Sequence, residues 1–242
     1  MFSAKILAAF AAISSIAQGS PLPDTDTGVD MFKRDAPLDA RDVELANLHK
    51  VNLTQMYKHS VHRRNDGDHV TIWVNRSFRP TEESEVDLEA RGVRLVANKG
   101  GSGDTDACKH SSFRTRTGPN GPFTGGLLQL SQWGNDNRGS FLTSNNDWTD
   151  LVIAGSNSGS NAKFAARSKA AGNFISRVGT FDIRDLARDT ERMFKQQFDG
   201  RWRAAGEGTM PCATNTFPWN SPINIIGDRD MDWSILGTST RV

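Results

Sequence analysis

Between Phe174 and Cys212 the chain reads as a strand, an amphipathic helix, a turn and a second strand, and this stretch narrows the possible folds most. Asp182 is placed to cap the helix start, because a short carboxylate accepts the free N–H groups of a first turn. Ile183, Leu186, Ala187, Thr190, Met193, Phe194 and Phe198 then recur at helical spacing on one face. Asp185, Arg188, Glu191, Arg192 and Lys195 occupy the other, with Glu191 placed to pair with Lys195. Asp199-Gly200 reads as the stop, and Trp202 to Cys212 as the returning strand. A helix with one apolar face needs a sheet beneath it.

The rest of the chain supplies that sheet. Asp68 to Asn75, Trp148 to Ala154, Asn161 to Arg167, Phe174 to Val178 and Met231 to Leu236 read as strands, the second and third joined by a Gly/Ser turn. Thr124 to Trp133 reads as a shorter helix capped by Thr124, with Leu127, Leu128, Leu130 and Trp133 mostly inward. Asn135 to Asn146 reads as a polar loop around Phe141-Leu142. Strands outnumber helices and hairpins dominate, which predicts an α+β fold. One mostly antiparallel sheet would carry both helices on one face.

Residues 1–19 have a lysine near the front, an apolar run and small residues at the end, the pattern of a signal peptide, so the protein is expected to be secreted. Residues 20–64 are polar and Asp-rich and read as a pro-segment or disordered leader. Residues 65–98 read as a small β-α-β annex, which either joins the sheet or packs separately. Residues 99–107 form a Gly-rich linker, 108–236 the main domain and 237–242 a tail. Two dibasic pairs, Lys33-Arg34 and Arg63-Arg64, are candidate processing sites for a kexin-like protease. A chain starting at Asn65 carries equal numbers of basic and acidic residues. That balance argues against a nucleic-acid partner or an anionic membrane surface held by bulk charge. No later stretch is long and apolar enough to span a bilayer. Asn52 and Asn75 stand in N-glycosylation sequons. Cys108 and Cys212 are the only cysteines, and in an oxidising compartment they most simply form one disulfide.

Chemistry-bearing motifs are sparse. All five histidines fall between His49 and His110. A zinc site needs three or four ligands on a rigid frame, whereas His49, His59 and His62 sit in the leader, so neither metal nor cofactor is expected. His69 and His110 lie beyond the leader, and either could work with an acid in a small hydrolase or nuclease. Their simpler reading is as surface histidines. Gly155-Ser156-Asn157-Ser158-Gly159 keeps the glycine spacing of a nucleophile elbow but has asparagine at its centre. Trp219, between Pro218 and Asn220, is expected to be exposed.

Cys108 followed by Ser112-Phe113, Val178-Gly179-x-x-Asp182-Ile183-x-Asp185, Gly208-Thr209-Met210-x-Cys212 and Asp232-Trp233-Ser234-Ile235 together resemble the extracellular-protein-2 family. These are secreted fungal effectors with a necrosis-inducing-factor domain. The resemblance covers Cys108 to Leu236 and is most specific from Val178 to Cys212. It implies an α/β-sandwich similar to fungal killer toxins, with Cys108 and Cys212 as the outer disulfide pair. The family's inner pair has one cysteine in the first helix and one in the strand before the long helix. This chain has Gly125-Gly126 and Ala162 there, so it is similar to a divergent member without the inner crosslink. The resemblance carries no catalytic residue. The expected function is therefore non-enzymatic: a monomer binding a host or competitor protein or cell-surface component, a role in virulence.

Overall fold

The computed structural model describes residues 29–63, 69–81, 105–144, 146–156, 161–169, 174–216 and 225–238. In chain order the first elements are β1 (Val29–Met31), α1 (Ala40–Leu48), β2 (Met56–Arg63), β3 (His69–Asn75), β4 (Phe78–Pro80) and β5 (Arg114–Thr115). Next come α2 (Thr124–Asp136), β6 (Gly139–Thr143), β7 (Thr149–Ser156), β8 (Ala162–Ser168) and β9 (Phe174–Gly179). Last are α3 (Thr180–Phe194), β10 (Gln196–Phe198), β11 (Arg201–Arg203), β12 (Gly206–Thr216) and β13 (Ile225–Gly237). Eleven strands make one curled, half-barrel sheet in the order β1-β2-β3-β7-β8-β13-β12-β9-β6-β4, with β5 also on β12. Every pairing is antiparallel. The fold is thus α+β and mostly antiparallel, as the hairpin-rich pattern predicts. No helix of the described residues is long and apolar enough to cross a membrane.

Both faces of the sheet are covered. Leu127, Leu130 and Trp133 of α2 and Ile183, Leu186 and Ala187 of α3 pack with Ile72, Val152, Phe164, Met210, Met231 and Trp233 in the main core. Trp73 and Ile153 alternate with Ile72 and Val152 and so point the other way. They form a second core with Met56 and Ala46, beneath α1. The expectation of helices on one face holds for α2 and α3, and α1 adds a helix on the opposite face. Lys58 fastens α1 to β2 through Asp42 at 2.7 Å, with side chains only 10% and 8% exposed.

Residues 29–63, expected as part of a pro-segment or disordered leader, are folded into the sheet. β2 pairs with β3 along its length, from Met56↔Asn75 to Arg63↔His69, and β1 pairs with β2. His59 reaches the main core, where it accepts the Trp133 indole N–H at Nδ1 (3.3 Å). That geometry requires a neutral ring, and burial followed by the nearby His62 lowers the His59 pKa to about 4. The unfolded chain takes up that proton first, so this contribution to stability is lost as pH falls from about 6.5 to 4. His49 is also buried, with Nδ1 3.1 Å from Thr238 Oγ1. Both rings, expected to lie in the leader, are buried within the fold. The annex joins the sheet: β3 lies between β2 and β7, and β4 on β6. Its acidic helix and second strand, the signal segment, Arg64, the centre of the Gly155–Gly159 motif and Trp219 lie outside the described residues.

The long helix also ends earlier than its periodicity suggests. Lys195 is extended, and Asp199-Gly200 is the turn of a β10–β11 hairpin, both residues having positive φ (50° and 74°). Asp-Gly is a strong signal for that turn, and here hairpin geometry wins over continued helix. Phe198 therefore leaves the helical face, and Met193 is exposed. Asp182 is the third helical residue, not the cap. Gly179 holds the cap position, with Thr124 likewise inside α2 and Phe123 before it. Gly139–Thr143, within the expected polar loop, is a strand whose Phe141 is fully buried.

Candidate functional site

The site begins with a strap, residues 105–117, running antiparallel to β12. Ala213 N–H donates to the Ala107 carbonyl, Lys109 N–H to Pro211 and Ser112 N–H to Thr209, at 2.8–3.0 Å. Cys108 and Cys212 are joined by a disulfide. Farther along, Trp233 Nε1 donates to Ser111 Oγ (2.6 Å), and the Phe113 ring meets Trp233 edge-on at 5.2 Å. The strap fills the edge of β12 that β9 leaves open, since β9 pairs only with Thr214–Thr216.

Asp182 ties the strap to the helix. Its carboxylate accepts N–H groups from Gly179 (2.7 Å), Ala107 (3.0 Å) and Cys108 (3.3 Å). Thr105 comes so close that a Cβ at Gly179 would lie 2.2 Å from its carbonyl oxygen, so only glycine fits there. Burial raises the Asp182 pKa to about 7 against the pull of its N–H donors, and Asp106 adds to the rise. At the other end of α3, Thr117 Oγ1 donates to the Phe194 carbonyl at 2.9 Å. Strap and helix are thus joined at both ends of the helix.

Between them opens a cleft of about 560 Å³. Asp106, Lys109, His110 and Ser111 line it from the strap, Asp182, Asp185 and Asp189 from α3, and Phe113, Leu186 and Met210 give it apolar lining. Asp185 and Asp189 are held by Arg188 at 2.9 and 3.1 Å, and Lys109 pairs with Asp228. The carboxylates outnumber the basic groups lining the cleft. Asp185 is further paired with Arg184 at 2.9 Å, so guanidiniums match much of that acidity, and the cleft suits a hydrogen-bond-donating group.

Of the two candidate catalytic histidines, only His110 reaches this cleft. His69 begins β3, four strands from β12. The registers Val70↔Ser156, Ala154↔Ala162 and Ala162↔Gly237 set it at the Gly237 end of β13, whereas His110 follows Lys109 at the Asp230 end. The two rings therefore lie four strands apart and at different levels along the strands. His62 is half-buried, with Nε2 3.2 Å from Ser60 Oγ. Among the described residues no group of three or more His, Cys, Asp or Glu is arranged to hold a metal ion.

The sequons differ in access. Asn52 is exposed, its Oδ1 accepting the Thr54 hydroxyl at 2.7 Å. Asn75 is buried, and its Nδ2, the atom a glycan would use, donates to the Asp150 carbonyl at 2.9 Å. The folded chain therefore does not present Asn75 to solvent. Lys33 and Arg34 lie in a turn against β2, and Arg63 ends β2, paired with Asp30.

Sequence reasoning overlooked Asp185 and Asp189 as lining of a cleft, and treated Asp182 as a helix cap alone. The one cue was the cysteine pair, because Cys108 brings its neighbours onto β12 beside the helix. Compared with protein-family models and with curated proteins, the sequence matches none.

Proposed function

We propose that the protein is a secreted, non-catalytic, effector-like protein that acts by binding a host or competitor component, with the strap cleft as its recognition surface. One contact carries the reading. The resemblance sets the family's inner cysteines at Gly125-Gly126 and Ala162, and a Cβ at Gly126 would lie 3.0 Å from that of Ala162. Bridged cysteines have Cβ atoms roughly 3.5–4.5 Å apart, so the adjacency of the two places supports the resemblance, although Ala162 opens β8 and not β9, the strand directly before α3. Cys108 and Cys212, which the resemblance makes the outer pair, are bridged. The killer-toxin-like sandwich belongs to the same reading, supported by α2 and α3 lying together on one face. The carboxylates lining the cleft offer hydrogen-bond acceptors to a donor group on the partner.

The test is to infiltrate the purified protein into plant leaves and apply it to competing microbes. An Asp185→Asn/Asp189→Asn variant serves as the control. Death or growth arrest with the natural sequence, weakened about tenfold or more in the variant, is expected if two cleft carboxylates supply about 1.4 kcal/mol of binding. Repeated absence of any effect on either target would remove the reading.

A second reading rests on His110, which shares the cleft with Asp106, Asp185 and Asp189, the residue types of a general acid–base pair. Turnover of RNA, ester or glycosidic substrates that His110→Ala abolishes would put a hydrolase in place of the binding protein.

A further inference from the structure

Lys33-Arg34 has the sequence that kexin-like proteases cut, yet the fold restrains the bond after Arg34 from both sides. Before it, Phe32 N–H donates to the His59 carbonyl (2.8 Å), and Lys58 Nζ lies over the Phe32 ring at 4.0 Å. The pair itself is bent into a turn, closed by Ala36 N–H on the Lys33 carbonyl (3.0 Å). Arg34 Nη2 donates to the Phe78 carbonyl at 2.9 Å, and its guanidinium lies over the Tyr57 ring at 5.5 Å. After the bond, Asp35 accepts from Arg76 at 2.8 Å. A dibasic endoprotease must draw its substrate out straight and take the arginine side chain into an acidic pocket. Here the backbone is bent and the arginine already occupied, so cleavage requires local opening.

We propose that Lys33-Arg34 is a processing site closed by folding, so that the order of folding and cleavage decides which form of the protein results. A chain that folds first keeps β1. A chain cut first loses β1 and Phe32, which uncovers the outer edge of β2 and the Lys58–Asp42 pair beneath. The folded and cut forms then differ in whether a free strand edge is presented.

A kexin-type protease applied to the folded full-length chain, and to a synthetic peptide of residues 29–40, tests this by intact mass over time. The mass separates cleavage after Arg34 from cleavage elsewhere. The peptide is expected to be cut after Arg34, and the folded chain at least about 100-fold more slowly, because the rate follows the open population. Arg76→Ala, which removes an exposed ion pair and leaves the core intact, should speed the cut several-fold. Cleavage of the folded chain within about threefold of the peptide would overturn the proposal, as would a slow cut that Arg76→Ala leaves unchanged.

Discussion

A chain that begins at Asn65 is expected to be recovered unfolded or aggregated, whereas one that begins at Val29 should unfold cooperatively. Removing 29–63 takes away the whole β2 partner of β3 and uncovers Trp73 and Ile153 on the back face. Met56, Tyr57, Val61 and Leu45, all buried, go with it. At about 1.5–3 kcal/mol for each large side chain, that loss is comparable with the whole stability of a typical domain, about 5–15 kcal/mol. Trp133 also loses its acceptor on His59, which leaves a buried indole N–H unpaired. Circular dichroism and thermal unfolding of the two purified chains are the measurements. A cooperative transition in the shorter chain would show that 29–63 is dispensable.

The second large effect is expected at the strap's two anchors. The disulfide joins residues 104 apart, and losing it through Cys108→Ser/Cys212→Ser costs about 4–5 kcal/mol in the chain-entropy account. Asp182→Ala leaves three backbone N–H groups without their acceptor, worth about 3 kcal/mol in all. Either change should lower Tm by roughly 10 °C in a domain of this size. Because Asp182 holds the N–H of Cys108 itself, the combined variant should lose less than the sum. The Asp182 deficit also depends on pH. Its pKa is raised on folding, so its contribution is full below the ordinary carboxylate range and is lost as pH rises through about 7. The deficit should therefore be larger at pH 5 than at pH 8. A Tm that is unchanged by either variant, or by reductant, would contradict the account of the strap.

The elements that were legible have one face to bury and a regular period. Ile183, Leu186, Ala187 and Thr190 fall on the buried side of α3 as their spacing predicts, and β7 and β8 form the expected hairpin. The misread elements break their period. In β2 the register shifts between Lys58 and Ser60, so apolar–polar alternation fails where Lys58, His59 and Ser60 pack inward. A polar, Asp-rich composition then hid a strand whose polar groups are paired inside the fold. β6 is short, and only the pair Phe141-Leu142 marks it. The cleft was less legible still, because His110 and Asp185 are neighbours only through a disulfide and one carboxylate. No local pattern records such a meeting.

The central claim is that Met56–Arg63 of β2 belongs to one disulfide-closed sheet whose strand β12, with its strap, carries the cleft. Hydrogen exchange of the intact folded protein tests this most directly, strand by strand. The account predicts that amides of Met56–Arg63 are protected to nearly the same extent as those of Met231–Leu236 in β13, and that both are released together on unfolding. Exchange of Met56–Arg63 at the rate of an unstructured peptide, with β13 still protected, would contradict it.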